Sequence, residues 1–160
     1  MKVGVLGCNG FLGRYFLEYN KWIPITREEV DLLNPVSVEK FFHRYKFSVI
    51  IHCAVVGGSR LKEDSSDVLK ENILMFENVV RVFKGKLIYF SSGAALRGNP
   101  PTDPYGLSKW IIDSHFVRTT FGNRNLKMAQ CCFHRVQVVQ MLWILKEAAE
   151  RDHLQLMKRP

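Results

Sequence analysis

Four short apolar runs, Val3–Leu6, Trp22–Ile25, Val49–Ala54 and Leu87–Phe90, punctuate the first part of the chain, and each gives way to glycine, serine or threonine within a few residues. Runs this short and this continuous suit strands buried on both faces. The intervening segments repeat their apolar residues at helical spacing: Phe11, Leu12, Tyr15 and Phe16, then Val38, Phe41, Phe42 and Tyr45, then Val68, Leu69, Ile73, Phe76, Val79, Val80 and Phe83. Asn34 is placed to cap the second of these helices and Pro35 to open it. A further helix is expected from about Tyr105 through His115, after a loop containing Pro100, Pro101 and Pro104. Strands alternating with helices require right-handed crossovers and a parallel sheet. The predicted class is therefore α/β, a doubly wound parallel sheet with its ligands at the carboxyl ends of the strands.

Beyond His115 the rhythm is lost. The remaining residues contain one convincing helical pattern, roughly 136–151, and no second glycine-punctuated strand. The expected organisation is residues 1–115 as the sheet domain and residues 116–160 as a divergent, mainly helical segment packed on it or extending it. A chain of 160 residues suits a single core. Its hydrophobic fraction of 47% and charged fraction of 24% exclude disorder.

No apolar stretch approaches the roughly 20 residues that span a bilayer, so no membrane partner is expected and the cytoplasm is the expected compartment. Cys8, Cys53, Cys131 and Cys132 have no paired spacing that suggests zinc or a disulfide framework, so reduced thiols and no metal are expected. The formal charge of +8 is concentrated late: residues 115–160 carry 8 Lys/Arg against 3 Asp/Glu. That bias raises nucleic-acid binding, but no groove-reading or stacking motif accompanies it.

The stretch "GCNGFLG", Gly7 to Gly13, follows the first strand and opens the first helix. In that position Gly7 makes a tight turn, Gly10 lets the backbone approach a pyrophosphate and Gly13 lets the helix pack closely on the strand. At the end of the second strand, where an acidic residue favours the free ribose of NAD, stands Arg27, which suits the 2′-phosphate of NADP. "YGLSK" sets Tyr105 and Lys109 four apart on one helical face. An ammonium beside a phenol favours the phenolate and lowers its pKa toward working pH. A hydroxyl at the end of the fourth strand, Ser92 or Ser91, is placed to orient a reacting oxygen.

Taken in order, "GCNGFLG", "DLLNP", "VIIHCAVVGG", "ENILMFEN", "IYFSSGA" and "PYGLSK" resemble the extended short-chain dehydrogenase/reductase family of sugar-nucleotide epimerases, dehydratases and reductases. "ITREEVDLL" and "HCAVVGG" look most like its GDP-fucose synthase and dTDP-dehydrorhamnose reductase branch. The resemblance implies a Rossmann-type sheet and an NADP cofactor, with NAD as the alternative. It assigns Gly7, Asn9, Gly10, Phe11, Leu12 and Gly13 to the pyrophosphate turn, Arg27 to cofactor selection, and Asp31 and Leu32 to the adenine. Cys53, Ala54 and Val55 fall beside the nicotinamide ribose, and Asn72 matches an asparagine that supports the site. Tyr105, Lys109 and Ser92 match the catalytic positions.

Two departures accompany it. The hydroxyl position aligns with Ser92 or, with a gap, with Gly93. The resemblance also covers only residues 1 to about 115, whereas family members continue much further. The expectation is a fold incomplete on its C-terminal side and lacking the substrate domain. The implied function is NADP(H)-dependent oxidoreductase or epimerase chemistry on a nucleotide sugar. A catalytically silent NADP(H)-binding module, a sensor or partner subunit, is the alternative. Apolar surface left by a missing lobe would favour a homodimer.

Overall fold

The computed structural model describes residues 1–59, 61–120 and 126–129, all within one unit, Met1–Gln130. Its elements run β1 (Val3–Leu6), α1 (Phe11–Tyr19), β2 (Ile23–Ile25), α2 (Pro35–Arg44), β3 (Val49–His52), α3 (Ser66–Val82), β4 (Lys86–Phe90), α4 (Pro104–Thr120) and β5 (Leu126–Ala129), with a 3₁₀ turn at Gly93–Leu96. The five strands form one sheet in the order β2-β1-β3-β4-β5, parallel at every pairing. This is the doubly wound α/β arrangement expected from the alternation of apolar runs and helical periods, and the Rossmann-type sheet that the resemblance implies.

The strand order reverses beside β1: the chain steps from β1 outward to β2, then returns past β1 to β3. Because crossovers keep one hand, that reversal sends α1 to one face of the sheet and α2, α3 and α4 to the other. The rings agree. Phe16 of α1 stacks on Phe90, while Phe76 of α3 meets Tyr89, its neighbour in β4 and therefore on the opposite face. The main apolar cluster lies on the side of α2–α4, joining Leu6, Ile50, Leu87 and Tyr89 of the strands to Val38, Phe41, Phe76, Val79 and Ile112 of the helices.

Local signals act as the residues dictate. Asn34 caps α2, its side-chain oxygen accepting from the backbone N–H groups of Val36 and Ser37, and Pro35 occupies the first turn. Leu126–Ala129 is a strand, paired in register with β4 from Leu87 to Phe90, inside the segment 116–160 that is expected to be mainly helical and without a second glycine-punctuated strand. α4 likewise runs through 115 to Thr120. The missed strand, Leu-Lys-Met-Ala, has a lysine in its middle and no glycine at its end, so it lacks the apolar continuity that marks β1, β3 and β4. The helical pattern at 136–151 lies outside the described residues.

Phe76 has no exposed surface and its ring contacts His52, Tyr89 and His115. Truncation to Ala would leave a cavity beneath three elements, and we expect Phe76→Ala to cost about 3–5 kcal/mol in a denaturant titration.

Candidate active site

The site is assembled where β1, β3 and β4 end. Gly7 leaves β1 with φ of 74°, a conformation that L side chains rarely adopt, and a Cβ there would lie 2.4 Å from the backbone nitrogen of Ala54. A Cβ at Gly13 would lie 2.2 Å from the Gly7 carbonyl oxygen, so the first turn of α1 packs directly on the turn that precedes it. Gly10 is the N-cap of α1 and has no side chain to offer, and the first helical turn carries no acidic residue. Neither a side-chain cap nor a first-turn acid thus meets the positive end of the helix, which suits a bound pyrophosphate. Asn9, Gly10 and Phe11 are exposed on this turn and Leu12 is half-buried.

One strand outward, Arg27 is exposed two residues beyond β2. Asp31 and Leu32, assigned to the adenine, are differently committed. The Asp31 carboxylate accepts from the Leu33 N–H, at 3.1 Å, and Leu32 is buried in the core with its carbonyl accepting from Asn78 Nδ2, at 2.9 Å. The side chain of Leu32 is thus part of the core.

On the other side of β1, the Cys53 N–H donates to the Leu6 carbonyl, prolonging the β1–β3 pairing by one step. Cys53 and Ala54 are half-buried and Val55 is exposed. Asn72 of α3, 4% exposed, then ties the loop down: its Oδ1 accepts from Val56 N–H at 2.9 Å, and its Nδ2 donates to the Val56 carbonyl at 3.0 Å and to Ser108 Oγ at 3.2 Å. Ser108 Oγ donates in turn to the Tyr105 carbonyl, at 2.7 Å. One asparagine therefore joins the loop after β3 to the first turn of α4.

That turn carries Tyr105. Asp103 fixes it by accepting the Gly106 N–H at 2.7 Å, with Pro104 opening the helix. The loop after β3 also seats the tyrosine ring: Gly58 has φ of 77°, and a Cβ there would fall 2.8 Å from the ring. Both oxygens of Asp64 accept the Gly58 N–H, at 3.0 and 3.1 Å.

Lys109, 4% exposed, lies deeper. Its ammonium donates to Tyr89 Oη and to the Phe90 carbonyl, both at 2.8 Å, and sits 5.7 Å from the centre of the Tyr105 ring. The structure thus brings Tyr105 and Lys109 together, as expected, and adds Tyr89. Ser92 is buried with its oxygen accepting from Ala94 N–H, capping the 3₁₀ turn, while a Cβ at Gly93 would meet nothing within 4 Å. Ser91 donates to Asp113 at 2.5 Å.

Ser108, Tyr89, Asp113 and His52 were not singled out from the sequence. Asp113 had a signal, since it stands four residues after Lys109 and eight after Tyr105 on one helical face. Burial pushes its carboxyl above the usual range, opposed by the hydrogen bond from Ser91 and by the Lys109 cation. Burial drives the Tyr89 phenol well above its ordinary value, and Asp113 and Tyr105 push the same way. His52 is lowered to about 4, first by burial and then by the Lys109 cation. Neither of its ring nitrogens has a hydrogen-bond partner among the described residues. The described residues include no cluster of ligating side chains able to hold a metal ion. No helix among them is long and apolar enough to cross a membrane.

With this geometry in place, comparison with known proteins decides the family. The model of the NAD dependent epimerase/dehydratase family matches residues 3–120, most of the chain. The chain belongs to that family. UDP-glucose 4-epimerases from Bos taurus and Homo sapiens are each 30% identical to it, over 54% of this chain and 30% of theirs. The chain thus spans less than a third of the length of the curated relatives it matches. A similar fold is seen in a dTDP-4-dehydrorhamnose reductase from Bacillus anthracis in complex with NADP. It matches with a TM-score of 0.67 and 24% identity, over 81% of this chain and 53% of that one. A GDP-L-fucose synthetase from Naegleria fowleri matches with a TM-score of 0.62 and 17% identity, over 80% and 48% of the two chains.

The neutral, buried imidazole sets an acid limit. The unfolded chain takes up a proton on His52 near pH 6.5, the folded one only near 4, so stability present above pH 6.5 is lost as pH falls through that window. The difference amounts to about 3 kcal/mol. Denaturant midpoints measured from pH 7 to pH 4 should fall more steeply for the wild type than for His52→Leu.

Proposed function

We propose that this chain binds a nicotinamide dinucleotide, NADP(H) in preference to NAD(H), and serves an oxidoreductase or epimerase reaction on a nucleotide sugar. The observation that carries the reading is the buried Lys109 ammonium, held by β4 within 5.7 Å of the Tyr105 ring at the edge where β1 presents its glycine turn. Family membership and the UDP-glucose 4-epimerase relatives support the substrate class.

The residues fit the cofactor. The uncapped end of α1 with Gly7, Asn9, Gly10, Phe11, Leu12 and Gly13 takes the pyrophosphate. Arg27 pairs with a 2′-phosphate, and Asp31 with the backbone of Leu32 borders the adenine. Cys53, Ala54 and Val55, backed by Asn72, line the nicotinamide ribose. When bound, the nicotinamide supplies the hydride acceptor or donor. Tyr105 then moves the proton: its hydroxyl gives a proton to, or takes one from, the substrate oxygen, and the Lys109 cation favours the phenolate form. Lys109 also holds the ribose, and Ser92 polarises the substrate oxygen.

One observation favours a second reading, a binding module without turnover. The Ser92 oxygen is engaged by Ala94, and the adjoining exposed position, Gly93, has no side chain. In that case NADPH binds and no nucleotide sugar is converted.

Calorimetry should give tighter binding of NADPH than of NADH, and Arg27→Ala should weaken NADPH about tenfold while leaving NADH unchanged. Absence of binding by both cofactors at millimolar concentration would overturn the proposal. Assayed with nucleoside diphosphate sugars, Tyr105→Phe should lower turnover about 10²–10⁴-fold. Equal behaviour of Tyr105→Phe and wild type, both inert, selects the silent module.

A further inference from the structure

Lys109 was expected to have one tyrosine for a partner, and the structure gives it two. Its Nζ donates to Tyr89 Oη at 2.8 Å and lies 4.4 Å from the centre of the Tyr89 ring, closer than the 5.7 Å to the ring of Tyr105. We propose that Tyr89 is a positioning residue: it holds the Lys109 ammonium against the end of β4, in the place from which that charge acts on Tyr105. The inference deepens the proposed function and rests on it for the role of Tyr105.

The chemistry of burial argues for it. The ammonium of a lysine that is only 4% exposed must be met by acceptors, or its charge is too costly in a low-dielectric interior. β4 supplies two such acceptors, a main-chain carbonyl at Phe90 and a phenol oxygen at Tyr89. The carbonyl would be present with any residue at position 90, but the phenol oxygen depends on side-chain identity. A phenylalanine at position 89 would keep the ring contacts with His52 and Phe76 and lose the oxygen.

Tyr89 is also unsuited to compete as the acid. It is 2% exposed, and its hydroxyl stays protonated because burial, Asp113 and Tyr105 all raise it. It acts as a fixed neutral dipole. Among the described residues, the titratable groups that act on this pair include His52 on β3, and Tyr105 and Asp113 on α4. His52 is neutral above about pH 4. Asp113, which lowers the charge around Lys109, is itself held by Ser91. The arrangement is therefore a cation between two tyrosines, one buried and structural, the other half-buried at the site.

The test follows phenolate absorbance against pH in wild type, Tyr89→Phe and Tyr105→Phe. In the wild type we expect one early-titrating phenol, absent from Tyr105→Phe and displaced upward by about one pH unit in Tyr89→Phe. An early phenol unmoved by Tyr89→Phe overturns the inference, as does one that vanishes in Tyr89→Phe and persists in Tyr105→Phe. If the wild type has no early phenol, the acid/base role of Tyr105 fails, and a thermal double-mutant cycle then decides on Tyr89 separately. Melting temperature should drop on Tyr89→Phe in the wild-type background and stay level on the same change in Lys109→Met. An equal drop in both backgrounds overturns the inference, because the phenol oxygen would then act independently of the lysine.

Discussion

Where β1 and β3 lie side by side, the chain leaves their carboxyl ends toward opposite faces of the sheet, and the gap between the two departures is too narrow for a side chain. Gly7 fills that gap with backbone alone. Its positive φ turns the chain back beneath α1, and its closeness to Ala54 fixes the loop after β3 in the same stroke. The remaining parts of the site are referred to that contact. Asn72 anchors the loop from behind, Gly58 seats a ring in front of it, and α4 is aligned to both through Ser108.

Much of this was legible in the sequence because it depends on local rules. Apolar runs ending in glycine or serine mark β1, β3 and β4, and Asn34-Pro35 marks the start of α2, since strand burial and helix capping need no tertiary information. Gly7, Asn72, Tyr105 and Lys109, which lie together at one edge of the sheet, stand out in the sequence by their order and position along a set of motifs, as does Arg27, which is exposed beyond β2. β5 escaped because its side chains do not carry the pattern of a strand buried on both faces, although its pairing with β4 is regular. A register pairing is a property of two segments, and neither one contains it alone.

The same reasoning explains why the polar layer beneath the site was missed. Tyr89 reads as a strand aromatic, His52 as an interruption in a strand, and Asp113 as a helix acid. Each is ordinary in its own element. Their meaning arises from juxtaposition: His52 and Tyr89 are partners across two parallel strands, and α4 brings Lys109 down onto Tyr89 and Phe90 at the end of β4. The glycine turn and the Tyr105–Lys109 pair are marked by motifs in the sequence, while the phenol under Lys109 is read from this chain's own geometry.

The amide of Asn72 has a consequence for assembly. Its three hydrogen bonds reach 16 residues back to Val56 and 36 residues forward to Ser108, so they form only once the β3 loop, α3 and α4 have docked. The glycine turn with β1, α1 and β2 cannot by itself make the complete edge. Any ligand that requires the whole edge selects the finished fold over every partly folded form. Binding of such a ligand would be linked to folding, so that it would act as a thermodynamic latch on the entire sheet.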